Sequence, residues 1–379
     1  DAMASDWSDA EVSWLWTFTF FFSVVAVALY DSLIGKLRFK YLVPSVYAFF
    51  TLSFIAFYVG TQTLSDNTLI EKAFYVWISV FSLFHISVFW SLMSDIFDSQ
   101  QATRLFAFIG AGASVGAMLG PAIAVLYVKQ LGSYGLLLYA SLLLLTSIPL
   151  SYWLPSLKTN TIETGAGGQS QNQASFIKGN VLTALSEFVK SPYLLAIGAF
   201  ILLYTSISSF VYFELKNLLS DFDRETRSQI WAGMDLVVNT LTILVAAFAT
   251  GRIAKRFGLS ITLSSIPILI AAGLLLLAFA PIVGLVVAVQ IIRRAGNYAV
   301  TRPAREMLFT AVSRQTRFKV KPLIDIVVYR GGDMLNAWVF TALTQGLGLS
   351  LSVVAAIGAG IALLWAWLGI YLGRVFKIR

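Results

Sequence analysis

The chain has 379 residues, 58% of them hydrophobic and 12% charged, with a formal net charge of +8. A soluble domain is about one quarter charged; here apolar residues come in repeated blocks of about 20, the length that crosses a bilayer core, as in an all-α integral membrane protein. The absence of cysteine excludes disulfides and thiol chemistry, and one histidine alone supplies no zinc or haem donor set, so no metal or other cofactor is expected.

The chain opens DAMASDWSDAE, with no initiator Met, basic n-region or signal peptide, which leads us to expect that it starts partway into a longer protein. Eleven spans follow, at roughly 12–34, 41–60, 73–93, 105–128, 133–153, 193–213, 231–250, 259–280, 281–301, 323–345 and 349–372. Each must be helical, because lipid offers the backbone no hydrogen-bond partner. With the N-terminal stretch outside, the inside loops collect 19 of the 27 lysines and arginines. The outside loops hold 5: Lys72, Lys129, Lys216, Arg224 and Arg227. That bias puts the inside and the C-terminus in the cytoplasm, and it explains the positive charge without nucleic acid as a partner.

In chain order, the first span ends near Asp31, close to a membrane face, and a basic turn holds Lys36, Arg38 and Lys40. The third span carries His85, the only histidine, with Ser82 one turn earlier. It reads either as a proton relay or as a hydrogen-bonded packing residue, the plainer reading. Gly112, Gly116 and Gly120 form a smooth ridge expected to pack closely against another helix. The longest connection, 154–192, contains the linker-like TGAGGQSQNQAS. It then shows Phe176, Ile177, Val181, Leu182, Leu185, Phe188 and Val189 at helical spacing, an amphipathic helix for the membrane surface.

In the seventh visible span Asp235, Asn239 and Thr242 share a face, and a basic turn at 250–258 follows it. The ninth carries Gln290, Arg293, Arg294, Asn297 and Thr301 as one polar stripe. Its two arginines offer planar donor forks suited to carboxylate or phosphate. The tenth carries Asp325, Tyr329, Arg330, Asp333 and Asn336, with Arg330 in i,i+3 reach of Asp333 and Gly331-Gly332 between them. Charges inside a bilayer cost ~2.5–3.5 kcal/mol each on insertion scales, so they need partners or a wet cavity. Arg293, Arg294 and Arg330 face Asp31, Asp235, Asp325 and Asp333. The inventory therefore allows an anion site or complete mutual neutralisation. The loop from Arg302 to Lys321 holds six basic residues and one acid, Glu306; it reads as topology charge or as a collector of anionic solute or lipid headgroups.

Five spans precede the long connection and six follow it, and the turns at 30–40 and 250–258 look like repeats, so one lost first span would complete a 6 + 6 build. The expected division is an N-terminal lobe at 1–153, a cytoplasmic linker with its amphipathic helix at 154–192 and a C-terminal lobe at 193–379. The turn Gly251-Arg-Ile-Ala-Lys-Arg-Phe-Gly258 resembles the basic loop motif of the major facilitator superfamily, and Asp31 with Lys36, Arg38 and Lys40 a degenerate copy of it. Gly116-Ala-Met-Leu-Gly120-Pro121 resembles the glycine-proline motif of exchangers. More narrowly, VFWSLMSDIFDSQQATRLFAFIGAGASVGAMLGP (88–121) and RRAGNYAVTRPAREMLFTAVSRQTRFKVKPLIDIVVYRGGD (293–333) resemble the bacterial and plastid ATP/ADP translocase family and its bacterial relatives. The resemblance implies a two-lobe helical bundle that moves a small solute, an organic anion or nucleotide, by alternating access, as an antiporter in the bacterial inner membrane. The nucleotide exchangers carry intramembrane charges in both lobes, whereas the first-lobe spans here offer Asp31 and His85.

The expected substrate-binding residues are Arg293, Arg294, Asn297, Gln290, Asp235 and Asn239; the expected gating or coupling residues are Asp325, Arg330, Asp333, Asp31 and His85. The partners are a small, anionic solute and membrane lipid, with the chain as a monomer. No P-loop and no Ser/His/Asp order stands out, so no enzyme is expected. Two rivals stand beside this reading: a proton-coupled transporter or exporter of another substrate using Asp325, Asp333 or Asp235, and a non-transporting sensor or lipid-handling protein on the same fold. The sidedness is directly testable because the chain lacks cysteine. A cysteine at Lys255 should resist membrane-impermeant labelling of intact cells and react in inverted vesicles; labelling from outside would overturn the arrangement.

Overall fold

The computed structural model describes the chain apart from residues 1, 35–38, 65, 97–98, 160–180, 249, 313–319, 321–323, 325–327 and 379. It describes 27–34, 39–42, 83–84, 86–87, 90–91, 94–96, 99–111, 154–159, 181–184, 246–248, 250–257 and 310 as backbone only. All regular structure among the described residues is helical. The helices are α1 (Asp9–Ile34), α2 (Phe39–Thr63), α3 (Thr68–Ile96), α4 (Ser99–Thr159), α5 (Val181–Lys190), α6 (Pro192–Leu218), α7 (Arg224–Phe248), α8 (Thr250–Phe279), α9 (Val283–Gly296), α10 (Arg302–Leu308), α11 (Tyr329–Thr341) and α12 (Leu351–Ile378). Six helical segments among the described residues are long and apolar enough to cross a membrane: Val43–Thr63, Gly112–Trp153, Pro192–Leu218, Arg224–Val245, Gly258–Phe279 and Leu351–Ile378.

Local chemistry sets several helix ends. Ser8 and Glu11 close a capping box at the start of α1: Ser8 N donates to Glu11 Oε2 at 2.8 Å, and Glu11 N donates to Ser8 Oγ at 3.2 Å. Thr68 N donates to Asp66 Oδ1 at 2.9 Å where α3 begins, and that bond holds the Asp66 carboxyl below the usual carboxylate range. Ser191 caps α6, with Pro192 in its first turn. Gly132, at φ 68°, breaks α4 between the two spans expected there. Gly258, at φ 75°, breaks α8. Positive φ at these bends is open to glycine at little cost. The segment 250–258, expected as a turn, is instead helical from Thr250 up to the break at Gly258.

The chain forms two compact units. One comprises Asp1–Ser13, Gln169–Asp223 and Ile230–Arg379; the other comprises Trp14–Gly168 and Arg224–Gln229. In the smaller unit α2 packs on α4, and α2 and α3 share an aromatic ladder: Phe81 lies 4.9 Å from Phe50 and 5.0 Å from Phe54, ring centre to centre. Trp77 Nε1 donates to Ser53 Oγ at 2.8 Å. Buried Glu71 accepts Arg224 Nη1 at 2.5 Å and Nη2 at 3.2 Å, and it also accepts the Tyr134 hydroxyl. This bidentate pair holds the first turn of α7 to the unit. The expected packing of the Gly112, Gly116 and Gly120 ridge is not found: a Cβ added at any of the three meets nothing within 4 Å. The flanking Val115 and Leu119 are exposed as well, so this face of α4 is covered by no described side chain.

In the larger unit α6 is the central post, with Ile197, Phe200, Ile201, Ile207, Phe210 and Phe213 all buried. It packs on α9, α11 and α12. Helix α5 docks at its start through Phe188, whose ring sits where a Cβ at Gly198 would lie, while Leu185 and Val189 stay exposed. Lys216, expected in an outside loop, is instead buried near the end of α6 and pairs with Asp9 at 2.6 Å. Asn217 and Thr344 donate to the other Asp9 oxygen at 3.3 Å and 2.9 Å. A buried pair of this kind is costly to break one-sidedly, by about 3–5 kcal/mol.

Helices α8 and α12 meet closely, where a Cβ at Gly373 would sit 2.4 Å from Ser260 Cα and one at Gly369 would sit 3.1 Å from the Leu263 backbone. Small residues let backbones meet where lipid gives no hydrophobic drive for association. Gly373→Ala should therefore lower the melting temperature in detergent, by an overpacking cost of about 1–3 kcal/mol. Gly360→Ala on the same helix, with open space around its Cβ, should leave it unchanged.

Candidate functional site

The site is built on α9. Its α-helical turns carry Gln290, Arg293 and Arg294, and the chain then widens into a π-helical turn at Asn297–Thr301 before α10. Such turns are rare and gather at functional positions. Gln290, Arg293, Asn297 and Thr301 are all buried.

Arg293 is 5% exposed and is held by neutral groups only. Its Nε donates to Gln290 Oε1 at 2.9 Å, and its Nη1 donates to Ser208 Oγ at 2.8 Å and to Tyr204 OH at 3.3 Å. The guanidinium carbon lies 5.9 Å from the centre of the Tyr204 ring, within cation–π range. Among the described residues no carboxylate pairs with Arg293, and Nη2 donates to none of them. The two hydroxyls accept from the guanidinium, so their own protons remain available to an incoming acceptor. Ser208 is half-buried.

The neighbouring cations are neutralised. Arg294 Nη1 pairs with Asp235 Oδ1 of α7, and Arg330 Nη1 lies 3.6 Å from Asp333 Oδ2, one turn along α11. Tyr329 sits against Tyr204, with ring centres 5.9 Å apart. Asn336 is fully engaged: its Oδ1 accepts from Ser206 Oγ at 2.8 Å, and its Nδ2 donates to Gly332 O at 2.7 Å and Thr205 Oγ1 at 3.3 Å. Gly332 permits that approach, since a Cβ there would lie 2.4 Å from Thr205 Oγ1. These bonds pin α11 to α6, and Asp333 on α11 comes close enough to feel the charge of Arg293.

The structure thus gathers Gln290, Arg293, Arg294, Asp235, Arg330 and Asp333 in the larger unit. Asn297 lies one turn beyond Arg293, its buried side-chain amide without a described hydrogen bond, and Asn239 is half-buried one turn beyond Asp235. His85 lies in the smaller unit, stacked on Phe81, with its Nδ1 3.2 Å from the Tyr47 hydroxyl. Ser82 bonds the Ile78 carbonyl rather than His85. Asp325 and the Asp31 side chain lie outside the described residues. From the basic loop, Arg305 is buried on α10, 3.3 Å from Glu306. A groove of about 350 Å³ in the smaller unit is lined by Ser53, Ala56, Phe57, Ile70 and Trp77 and holds none of these residues. Sequence reasoning passed over Tyr204 and Ser208; their i,i+4 spacing in an apolar span is the signal that pairs them on one face.

The family model of the Major Facilitator Superfamily matches residues 2–313. No curated protein matches the chain. A bacterial homologue of the human lysosomal transporter Spinster, solved inward-facing and unoccupied, is 14% identical, with a TM-score of 0.57 over 98% of this chain and 91% of that one. The nucleoside transporter NupG is also 14% identical, with a TM-score of 0.61 over 98% of this chain and 94% of that one. Identities this low carry the fold and no more, but the family match covers most of the sequence. An all-helical build, spans long and apolar enough for a bilayer and that match agree: the chain belongs to the major facilitator superfamily of multi-pass membrane transporters.

Proposed function

We propose that this chain is a secondary transporter that carries a small anionic solute by alternating access, with Arg293 anchoring the solute's negative group. The observation that carries the reading is a buried guanidinium with no ion-pair partner among the described residues, beside two arginines that each have one. Burying an uncompensated charge is expensive, so a site that keeps one is suited to a ligand of opposite sign. Gln290, Ser208 and Tyr204 set the plane of the fork, and Asn297 offers a further polar contact. Asp235 with Arg294 and Asp333 with Arg330 are the pairs whose rearrangement would accompany substrate entry.

The resemblance to ATP/ADP translocases, with a nucleoside transporter among the fold neighbours, makes nucleotides and related organic anions the first solutes to try. We assign lobes at 1–153 and 193–379 joined by 154–192. The positive-inside bias supports a bacterial inner membrane location with a cytoplasmic C-terminus.

The test is uptake and exchange of nucleotides and organic acids in proteoliposomes. Arg293→Ala should weaken solute binding roughly 10- to 100-fold, the equivalent of about 1.5–3 kcal/mol for hydrogen bonds to a charged group. Arg293→Lys should keep the charge but lose the fork and part of the affinity. Arg294→Ala should also impair transport, and Arg294→Ala combined with Asp235→Asn should regain it, because no charge is left unpaired. Undiminished anion transport by Arg293→Ala would sink the assignment, as would an absence of anion flux in the unmodified protein.

A further inference from the structure

Glu214 is the most deeply buried acid among the described residues, at 0% exposure, and neither carboxyl oxygen has a hydrogen-bond partner. It sits one turn from the end of α6, between Phe213 and Leu215, which are also fully buried. It takes no part in the Arg293 site.

The charged groups around it can be placed element by element. On its own helix, Lys216 is the near cation, and it is committed to Asp9 at 2.6 Å. From the segment packed over the helix end, the charge facing Glu214 is Asp9, an acid whose two oxygens are taken by Lys216, Asn217 and Thr344. On α9, Arg293 is level with Ser208, about 9 Å further down α6 at 1.5 Å per residue. On α11, Arg330 and Asp333 flank Gly332, which abuts Thr205, about 13 Å away along α6. On α12, Gly358 faces Phe210, and Arg374 and Lys377 lie on the order of 24 Å or more beyond it. A carboxylate here would thus be desolvated, unpaired and beside another carboxylate; the neutral acid carries none of those costs.

The cover over it is local. Ala2–Asp6 and the first turn of α1 pack across the end of α6, with Ala4, Trp7, Asp9 and Val12 buried. Ser13 Oγ lies 2.8 Å from Thr341 Oγ1, and Asp9 is tied to α6 and to Thr344. Ser5 Oγ, in the same cover, is buried without a partner.

We propose that Glu214 is a proton-binding site, sealed as the neutral acid beneath residues 2–13, and that it releases its proton to water when that segment lifts. The step breaks the carboxyl O–H bond, and water takes the proton. It makes no use of the anion site, so either assignment can fail without the other.

Difference infrared spectroscopy of the purified full chain tests this without a substrate. At neutral pH the unmodified protein should show the carbonyl stretch of a protonated carboxylic acid, Glu214→Gln should lose that component, and Glu214→Asp should keep an acid band at a shifted position. On transfer to D2O the isotope shift of the band should develop slowly, and it should develop faster in Trp7→Ala, which loosens the cover. If Glu214→Gln folds poorly, the unmodified protein and Glu214→Asp still decide. No protonated-acid band in the unmodified protein, or a band untouched by Glu214→Gln, would overturn the proton site. An isotope shift complete on mixing would overturn the seal.

Discussion

A hydrogen-bonding group placed in hydrocarbon has to be satisfied by the protein itself. That constraint makes every backbone span a helix, and it governs the side chains too. Serines and threonines within the spans turn back onto their own helix, as Thr19 does onto the Leu15 carbonyl and Ser141 onto Leu137. Polar side chains that reach further act as pins: Asn336 ties α11 to α6, Ser13 meets Thr341, and Asp9 gathers Lys216, Asn217 and Thr344. Against so much satisfaction, the exceptions carry information. Among the described residues, buried Arg293 has no ion-pair partner and Glu214 has two unpartnered oxygens, in the same unit.

The second constraint is shape. Lipid tails are as apolar as leucine, so helices hold together by close packing and specific polar bonds. The larger unit meets this with glycines opposite backbone or bulky side chains, at Gly369 and Gly373 on α12, Gly273 on α8 against Val289, and Gly296 on α9 against Ile266. The last of these lies at the turn where α9 gives way to the π-helical segment, so the backbone irregularity beside Arg293 is braced by a tight contact. The glycine ridge of α4 obeys the same chemistry but meets no described side chain. A small-residue pattern in sequence permits an approach and does not specify one.

Membrane class and helical build were legible in the sequence, because they follow from run length and composition, which need no partner; the superfamily was legible as a resemblance of short motifs such as 251–258 and 116–121. So was the stripe on α9, because 3.6-residue periodicity is local. The partners of that stripe were not. Three cations and four acids could be counted, yet only the packing of α9 against α6 and α7 decides that Arg294 meets Asp235 while Arg293 meets Tyr204 and Ser208. Lys216 looked like loop charge because a hydropathy window closes before it; in three dimensions the start of α1 folds over it and supplies Asp9.

What the sequence determined by itself, then, is what is set within one turn or one span: that these segments are helices and which faces are polar. Tertiary structure alone decided which charges are cancelled and which are left over. Charge compensation depends on contacts between residues far apart in the chain, such as Asp9 with Lys216 or Arg294 with Asp235. A one-dimensional pattern holds the inventory of such groups but not their distances, and the cost of a buried charge is a function of distance.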